Sequence, residues 1–294
     1  METHTRPFRF GVNLNAAGTR AEWAVKCRAA ERLGYDVIGV GDHLDLPAPF
    51  PALLLAAEVT RRPRVSTFVL NTGFYNPALL AREAATTDGL TGGRLEVGLG
   101  AGQIVEEYGR ARMPTPTAHD RLADLEAAVT WLGRVMGDAA YRPRPAGRLP
   151  LLVAGRGDRL LRLAARHADI IAYNSMAAGP AGPALADPST VAERAAFIRA
   201  ALGARARAVE LNVGARTVIV TGDRRAAAER LLPELAPHLT VDELLRLPAV
   251  LIGTAAHIAE QLREHRERLG FSYITVLEAS METFAPVIEL LAGR

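Results

Sequence analysis

Gly41-Asp42-His43 follows directly on an apolar run, Tyr35 to Val40, and this placement makes Asp42-His43 the first candidate for chemistry. Histidine titrates near neutrality and both gives and takes protons, and a neighbouring carboxylate can orient it. The plain alternative is a loop histidine bonded to its neighbours. Other polar or glycine-rich groups follow apolar runs in the same way. Asn13 and Asn15 end Phe8 to Leu14, and Asn71 to Asn76 follows Val65 to Leu70. Gly100-Ala101-Gly102-Gln103 follows Arg94 to Leu99. Ala154-Gly155-Arg156-Gly157 closes Leu151 to Ala154, and Asn174 follows Ala168 to Tyr173. At Gly155 to Gly157, glycines let the backbone approach a phosphate and the next helix start favours an anion, although a tight turn has the same composition. Arg156 can add a guanidinium to such a phosphate or to an acidic tail, or crowd it. The spacing Gly98-x-Gly100-x-Gly102 is not the GxGxxG dinucleotide fingerprint. With no GxSxG, HExxH or Cys/His cluster, serine hydrolase and zinc chemistry lack support and no metal site is expected. The pair Glu106-Glu107 is read as solvated or as a loop cap.

The elements that must position these groups alternate. Helices are expected at Arg20 to Leu33 with Gly34 beyond, Pro51 to Arg61, Asn76-Pro77 to Thr91, and Asp120 to Met136. More follow at Asp158 to His167, Thr190 to Leu202, Arg224 to Leu235 and Thr254 to Leu269, with a short one at Val241 to Leu247. Strand seven spans Val209 to Val220, broken at Gly214, and strand eight Ser272 to Leu277. Gln103 to His119 is expected as a long loop, Gly137 to Pro150 as a connector, and Asn174 to Pro188 as a lid or binding loop without periodicity. Eight βα alternations and no clear second domain argue for one (β/α)8 TIM barrel over residues 1–294, with a doubly wound open sheet as the alternative. In a barrel the C-terminal strand ends face one mouth, so Asn13, Asn15, Asp42-His43, Asn71, Gly100 to Gln103, Gly155 to Gly157 and Asn174 converge on one pocket.

The pieces Thr67-Phe-Val-Leu-Asn71, Asn76-Pro-Ala-Leu-Leu-Ala-Arg-Glu-Ala-Ala85, Leu90-Thr-Gly-Gly-Arg-Leu-Glu-Val-Gly-Leu-Gly-Ala-Gly102 and Glu107-Tyr108 stand in fixed order. Together they resemble the luciferase-like monooxygenase superfamily, most of all the branch that uses the deazaflavin coenzyme F420 in place of FMN. The resemblance covers Phe10 to about Glu278 and implies the barrel of that superfamily. It also implies that His43 handles the proton that accompanies hydride transfer and that Asp42 orients it or contacts the cofactor. Phe68-Val69 would be a bulged cis peptide supporting one face of the ring. Asn71 would bond the pyrimidine edge, Gly100 to Gln103 and Asn13 would wall the channel, and Ala154 to Gly157 would meet the phosphate. Glu107-Tyr108 matches a motif that buttresses the channel. The family shows a glycine run where Ala154 and Arg156 stand here.

The expected activity is F420-dependent reduction of a C=C, C=N or C=O bond, or the reverse, on a small organic substrate. The rival readings are an FMN-dependent monooxygenase of the same fold, supplied with reduced flavin by a partner reductase, and a barrel that binds a ligand without turnover. The resemblance implies a homodimer packed near the second and third strands, where Leu53-Leu-Leu-Ala-Ala57 suits an interface or the barrel shell.

The chain has 294 residues, net charge +3 and few aromatics. Lys26 is its only lysine, and its arginines lie beside acids along helices, so no nucleic-acid stripe is expected. No apolar run reaches the ~18 residues of a membrane span, and METHTRPFRF lacks an apolar signal core, so the expected location is cytoplasmic. Cys27 is expected as a small buried residue, and Trp23 and Trp131 as packing residues.

Overall fold

A computed structural model of the chain describes residues 6–15, 18–179 and 182–293. The expectations for the first five residues, and for 180–181 in the middle of the 174–188 loop, lie outside the described residues. The strands are β1 (Arg9–Asn13), β2 (Val37–Val40), β3 (Arg64–Thr67), β4 (Leu70–Asn71), β5 (Leu95–Gly100), β6 (Leu151–Gly155) and β7 (Ile170–Tyr173). They continue with β8 (Met176–Gly179), β9 (Gly182–Leu185), β10 (Glu210–Ala215), β11 (Thr217–Val220), β12 (Val250–Gly253) and β13 (Phe271–Leu277). The main sheet runs β3-β2-β1-β13-β10-β7-β6-β5-β4, and a further pairing of β3 with β5 closes it. With β3 and β4 as two halves of one stave, this is the expected closed barrel of eight parallel strands.

Helices cover the outside: α1 (Arg20–Arg32), α2 (Pro49–Val59), α3 (Pro77–Leu90), α4 (Glu106–Arg110), α5 (Ala118–Met136), α6 (Asp158–His167) and α7 (Pro188–Leu202). The rest are α8 (Arg224–Leu235), α9 (Val241–Leu244), α10 (Ala255–Leu269) and α11 (Met281–Leu291). Their starts follow local chemistry. Thr19 with Glu22 and Thr117 with Asp120 form capping boxes, and Asn76 caps α3 ahead of Pro77. Gly270, at φ +88°, ends α10 in the left-handed region that favours glycine.

Along each stave, outward residues such as Phe10, Val12, Ile38 and Val40 pack on the helices. Inward residues fill the barrel in layers. At the N-terminal end the Arg9 guanidinium bonds Glu96 at 2.6 Å and Glu210, and lies 4.6 Å from the centroid of the Tyr273 ring. Arg64 reaches the same Glu96 oxygen at 2.8 Å. Above them Val37, Leu152, Ile170, Ala172 and Tyr273 form an apolar plug, touched by Phe68, Val69 and Ala154. Burial opposes the charge on Arg9, but Glu96 and Glu210 outweigh it and the guanidinium holds its proton more tightly than usual. Glu210 is pushed upward by burial, which Arg9 only partly offsets.

Several elements differ from expectation for physical reasons. The run Val65 to Leu70 is not one strand but two, separated at Phe68-Val69, whose peptide bond is cis. The 103–119 loop contains α4, and the 174–188 segment contains the antiparallel pair β8–β9. Strand seven breaks at Arg216, not at Gly214, because β11 leaves the barrel to pair with β12. β12 itself is a four-residue apolar run, too short for periodicity to assign. α11 was hidden by Pro286, which suggests a breaker yet sits within the helix. Trp131 is 37% exposed beneath Arg134 and is not a packing residue, whereas Trp23 is buried and donates to the Ala52 carbonyl at 3.1 Å. Leu53, Ala56 and Ala57 are buried in the shell, and Cys27 is a buried free thiol raised to about 12 chiefly by burial. Among the described residues no helix is long and apolar enough to cross a membrane.

Arg9→Met should leave Glu96 and Glu210 buried without their common cation. Urea unfolding is expected to show a loss of about 3–5 kcal/mol, and a loss below about 1 kcal/mol would mean the cluster does not hold the barrel floor.

Candidate functional site

Asp42 and His43 leave β2 at the barrel mouth and turn in different directions. One Asp42 oxygen accepts the Asn71 backbone N–H at 3.0 Å, and the Tyr75 hydroxyl also donates to Asp42. Burial raises the Asp42 carboxyl above its ordinary value, and these two donors offset part of the rise. Asp42 therefore links the β2 end to the β4 end. His43 keeps 44% of its side chain exposed, with Nδ1 3.2 Å from both oxygens of Glu107. Glu107 also accepts the Leu44 N–H at 3.1 Å and is 3% exposed. A carboxylate only accepts, so it favours the tautomer with the proton on Nδ1 and leaves Nε2 outside this contact.

Of Glu106-Glu107, read as solvated or as a loop cap, Glu106 is exposed but Glu107 is buried, which corrects its reading as a solvated acid. It sits on the one-turn helix α4, which an Arg110–Asp45 ion pair at 2.5 Å also ties to the β2 loop. In the sequence, only the Glu107-Tyr108 resemblance marked it, because a five-residue helix in a Pro/Thr-rich loop carries no period. Tyr75 has no mark in the sequence. A tyrosine in a polar loop has no local signal for a carboxylate 33 positions earlier in the chain.

Asn71 is 5% exposed, and its Oδ1 takes two donors: the Tyr108 hydroxyl at 2.9 Å and the Gly73 N–H at 3.2 Å. These fix the amide so that Nδ2 is the free end, an enclosed donor without a protein partner. Across the turn, Asn13 Oδ1 is an enclosed acceptor without a partner among the described residues. Between the two asparagines lies the Phe68-Val69 turn. A Cβ on Gly39 would come 3.1 Å from Phe68 Cβ and 3.3 Å from Asn13 Oδ1. One on Gly100 would come 2.8 Å from Val69 Cγ2, and one on Gly102, at φ +73°, 2.5 Å from Asn71 Oδ1. The wall thus combines a flat apolar step with one free donor and one free acceptor. That pattern suits the alternating C=O and N–H edge of a planar heterocycle. Ala101 is half-buried beside this wall, whereas Gln103 is exposed.

Gly155 to Gly157 lies on the same mouth, at the end of β6. A Cβ on Gly155 would lie 2.4 Å from Leu160, so that position admits only glycine without a shift. Gly157 caps α6 without a side-chain bond, which leaves the first N–H groups of the helix for an anion. Ala154 faces the barrel interior. Arg156 does not point at this turn: its guanidinium donates to the Met176 carbonyl at 3.0 Å, at the base of the β8–β9 hairpin. Asn174 likewise serves the hairpin, its Oδ1 accepting from the Met176 N–H at 3.1 Å. The Asn15 backbone N–H donates to Glu278 at 2.8 Å.

The sequence pattern of the luciferase-like monooxygenase family matches residues 5–241. An F420-dependent glucose-6-phosphate dehydrogenase from Intrasporangium calvum is 34% identical over 165 residues, 48% of this chain and 49% of that protein. The chain therefore spans about half the length of the curated relatives it matches. A solved F420-dependent secondary alcohol dehydrogenase, in complex with an F420-acetone adduct, superposes with a TM-score of 0.76. It is 16% identical and covers 97% of this chain and 98% of its own. The monooxygenase RslO1 from Streptomyces bottropensis superposes at 0.71, with 18% identity over 97% of this chain and 98% of its own. At such identities the two structures show the shared fold.

Tyr108→Phe removes one of the two donors that orient the Asn71 amide. Urea unfolding should show a loss of about 1 kcal/mol, and an unchanged midpoint would mean that Gly73 alone suffices.

Proposed function

The chain belongs to the luciferase-like monooxygenase family, and on that premise we propose that it is an oxidoreductase that binds coenzyme F420 at the barrel mouth. It would exchange a hydride with a small organic substrate at a C=O, C=C or C=N bond. The observation that carries the reading is the wall of Asn13, Phe68-Val69 and Asn71, with its one free acceptor and one free donor. A deazaflavin ring offers the matching imide edge, and the uncapped start of α6 suits its phosphate. The relatives named F420-dependent support the choice of cofactor.

When bound, the cofactor supplies or accepts the hydride. The protein's own part is positioning and proton handling. Asn71 Nδ2 and Asn13 Oδ1 would hold the ring edge, and Phe68-Val69 would support one face. His43 Nε2 takes the hydroxyl proton of an alcohol as its C–H electron pair leaves with the hydride and the C=O bond forms. In the reductive direction it returns that proton to the oxygen. Glu107 holds Nδ1–H throughout and balances the charge of the imidazolium. A separate enzyme must return the cofactor to its starting redox state. We also propose a homodimer that packs through α2 and α3, and the 51% exposure of Leu79 on α3 suits such a face.

Fluorescence titration with oxidised F420 and, separately, with FMN tests the proposal. Saturable F420 binding with weak FMN binding is expected. His43→Asn should retain F420 affinity within about twofold and lower kcat by about 10²–10⁴. FMN preference would move the protein to the monooxygenases, and binding of neither would sink both enzyme readings.

A further inference from the structure

Going round the barrel, β10 stands directly across from the broken stave β3–β4. A planar group seated on Phe68-Val69 therefore turns its other face toward β10. Two β10 residues above the ion cluster point inward, Asn212 and, one step nearer the mouth, Gly214. Asn212 is 1% exposed, and its Nδ2 donates to the Tyr273 carbonyl at 3.1 Å and to Thr275 Oγ1 at 2.8 Å. A backbone carbonyl can only accept, so the orientation of this amide is determined. Among the described residues, Asn212 Oδ1 is then an enclosed acceptor without a hydrogen-bond partner. A Cβ on Gly214 would meet nothing within 4 Å. The inward glycines of the other staves are different: at Gly11, Gly39, Gly98 and Gly100 an added Cβ would meet atoms at 3.1 Å or closer. Asn71 lies on the opposite side and Asn13 two staves from β10, on β1, and the proposed reading gives both to the ring edge. The β10 wall is thus the side of the barrel that has both room and an unmet hydrogen bond. A buried acceptor left without a donor is costly, and a ligand that brings one relieves that cost.

We infer that the β10 wall is a substrate subsite that accepts a hydrogen bond from an O–H or N–H carried in addition to the reacting carbon, as in a hydroxy ketone, a diol or an amino alcohol. Gly214 leaves the space and Asn212 Oδ1 is the acceptor. The inference rests on the cofactor reading above.

The test uses the F420-loaded protein and two neutral probes of one ring size, 2-hydroxycyclohexanone and cyclohexanone, with binding followed by calorimetry. The hydroxylated probe should bind about tenfold more tightly. Asn212→Leu should reduce that preference to within about twofold while F420 affinity stays within about twofold. Gly214→Val fills the space and should abolish binding of both probes with F420 still bound, which keeps the test alive if the Asn212 variant does not fold. Equal affinity of the probes, failure of both to bind, or a preference retained in Asn212→Leu overturns the subsite. So does a loss of F420 affinity of about tenfold or more in that variant, which would give Asn212 to the cofactor. Failure of the cofactor reading shows separately, as absence of F420 binding by the unaltered protein.

Discussion

One guanidinium under the barrel sets the terms for everything above it. Arg9 projects inward from β1 and meets Glu96 of β5 and Glu210 of β10, so a single cation joins three staves that are not neighbours in the sheet. Hydrogen bonds within the sheet fix only adjacent strands. The cluster fixes distances across the barrel, and Tyr273 stacked against Arg9 seals it from the interior above. Burying so much charge is unfavourable unless each group is paired, which makes the arrangement intolerant of partial loss. The charged end lies at the N-terminal side, which leaves the mouth free of this constraint.

Side-chain size falls toward that mouth. Large residues fill the middle layer, and glycine or alanine stands at Gly39, Gly98, Gly100, Ala154 and Gly214 nearer the strand ends. The close approach of β3 to β5 depends on one of these. A Cβ on Gly98 would lie 2.0 Å from the Thr67 carbonyl oxygen, and Thr67 Oγ1 both donates to the Gly98 carbonyl and accepts its N–H. The turn at Phe68-Val69 is therefore framed by a hydrogen-bonded pair below and by Gly100 above, which puts its apolar step on the rim of the interior.

The polar groups of the mouth form one connected set. Asp42 binds the backbone of Asn71, the Asn71 amide binds Tyr108, and Glu107 beside Tyr108 binds His43, next to Asp42. The loop runs through β2, β4 and α4, so a shift of any of the three elements moves both the His43 ring and the free amide donor. The orientations of the His43 imidazole and the Asn71 amide are thereby set by the same few bonds.

The barrel was legible in the sequence because its signals are local. Apolar runs, the Asn76 cap ahead of Pro77, the helix start at Thr254 and the glycine after α10 act within a few residues. Strand ends alone brought Asp42-His43, Asn71 and the glycine segments to one mouth, and the resemblance placed the turn at Phe68-Val69. What tertiary structure decided was partnership. Glu107 looked like a solvated acid, and becomes a buried acceptor only because a one-turn helix folds back onto the β2 loop. Arg156 looked like a phosphate ligand, yet it bonds a hairpin carbonyl twenty residues on. Asn212 carried no signal at all. Whether an amide oxygen is left over depends on which groups its nitrogen finds, and those lie on a neighbouring stave more than sixty residues away. Backbone preference is short-ranged and is encoded locally. The pairing of buried polar atoms depends on which strands become neighbours when the barrel closes, so it exists only in the folded chain.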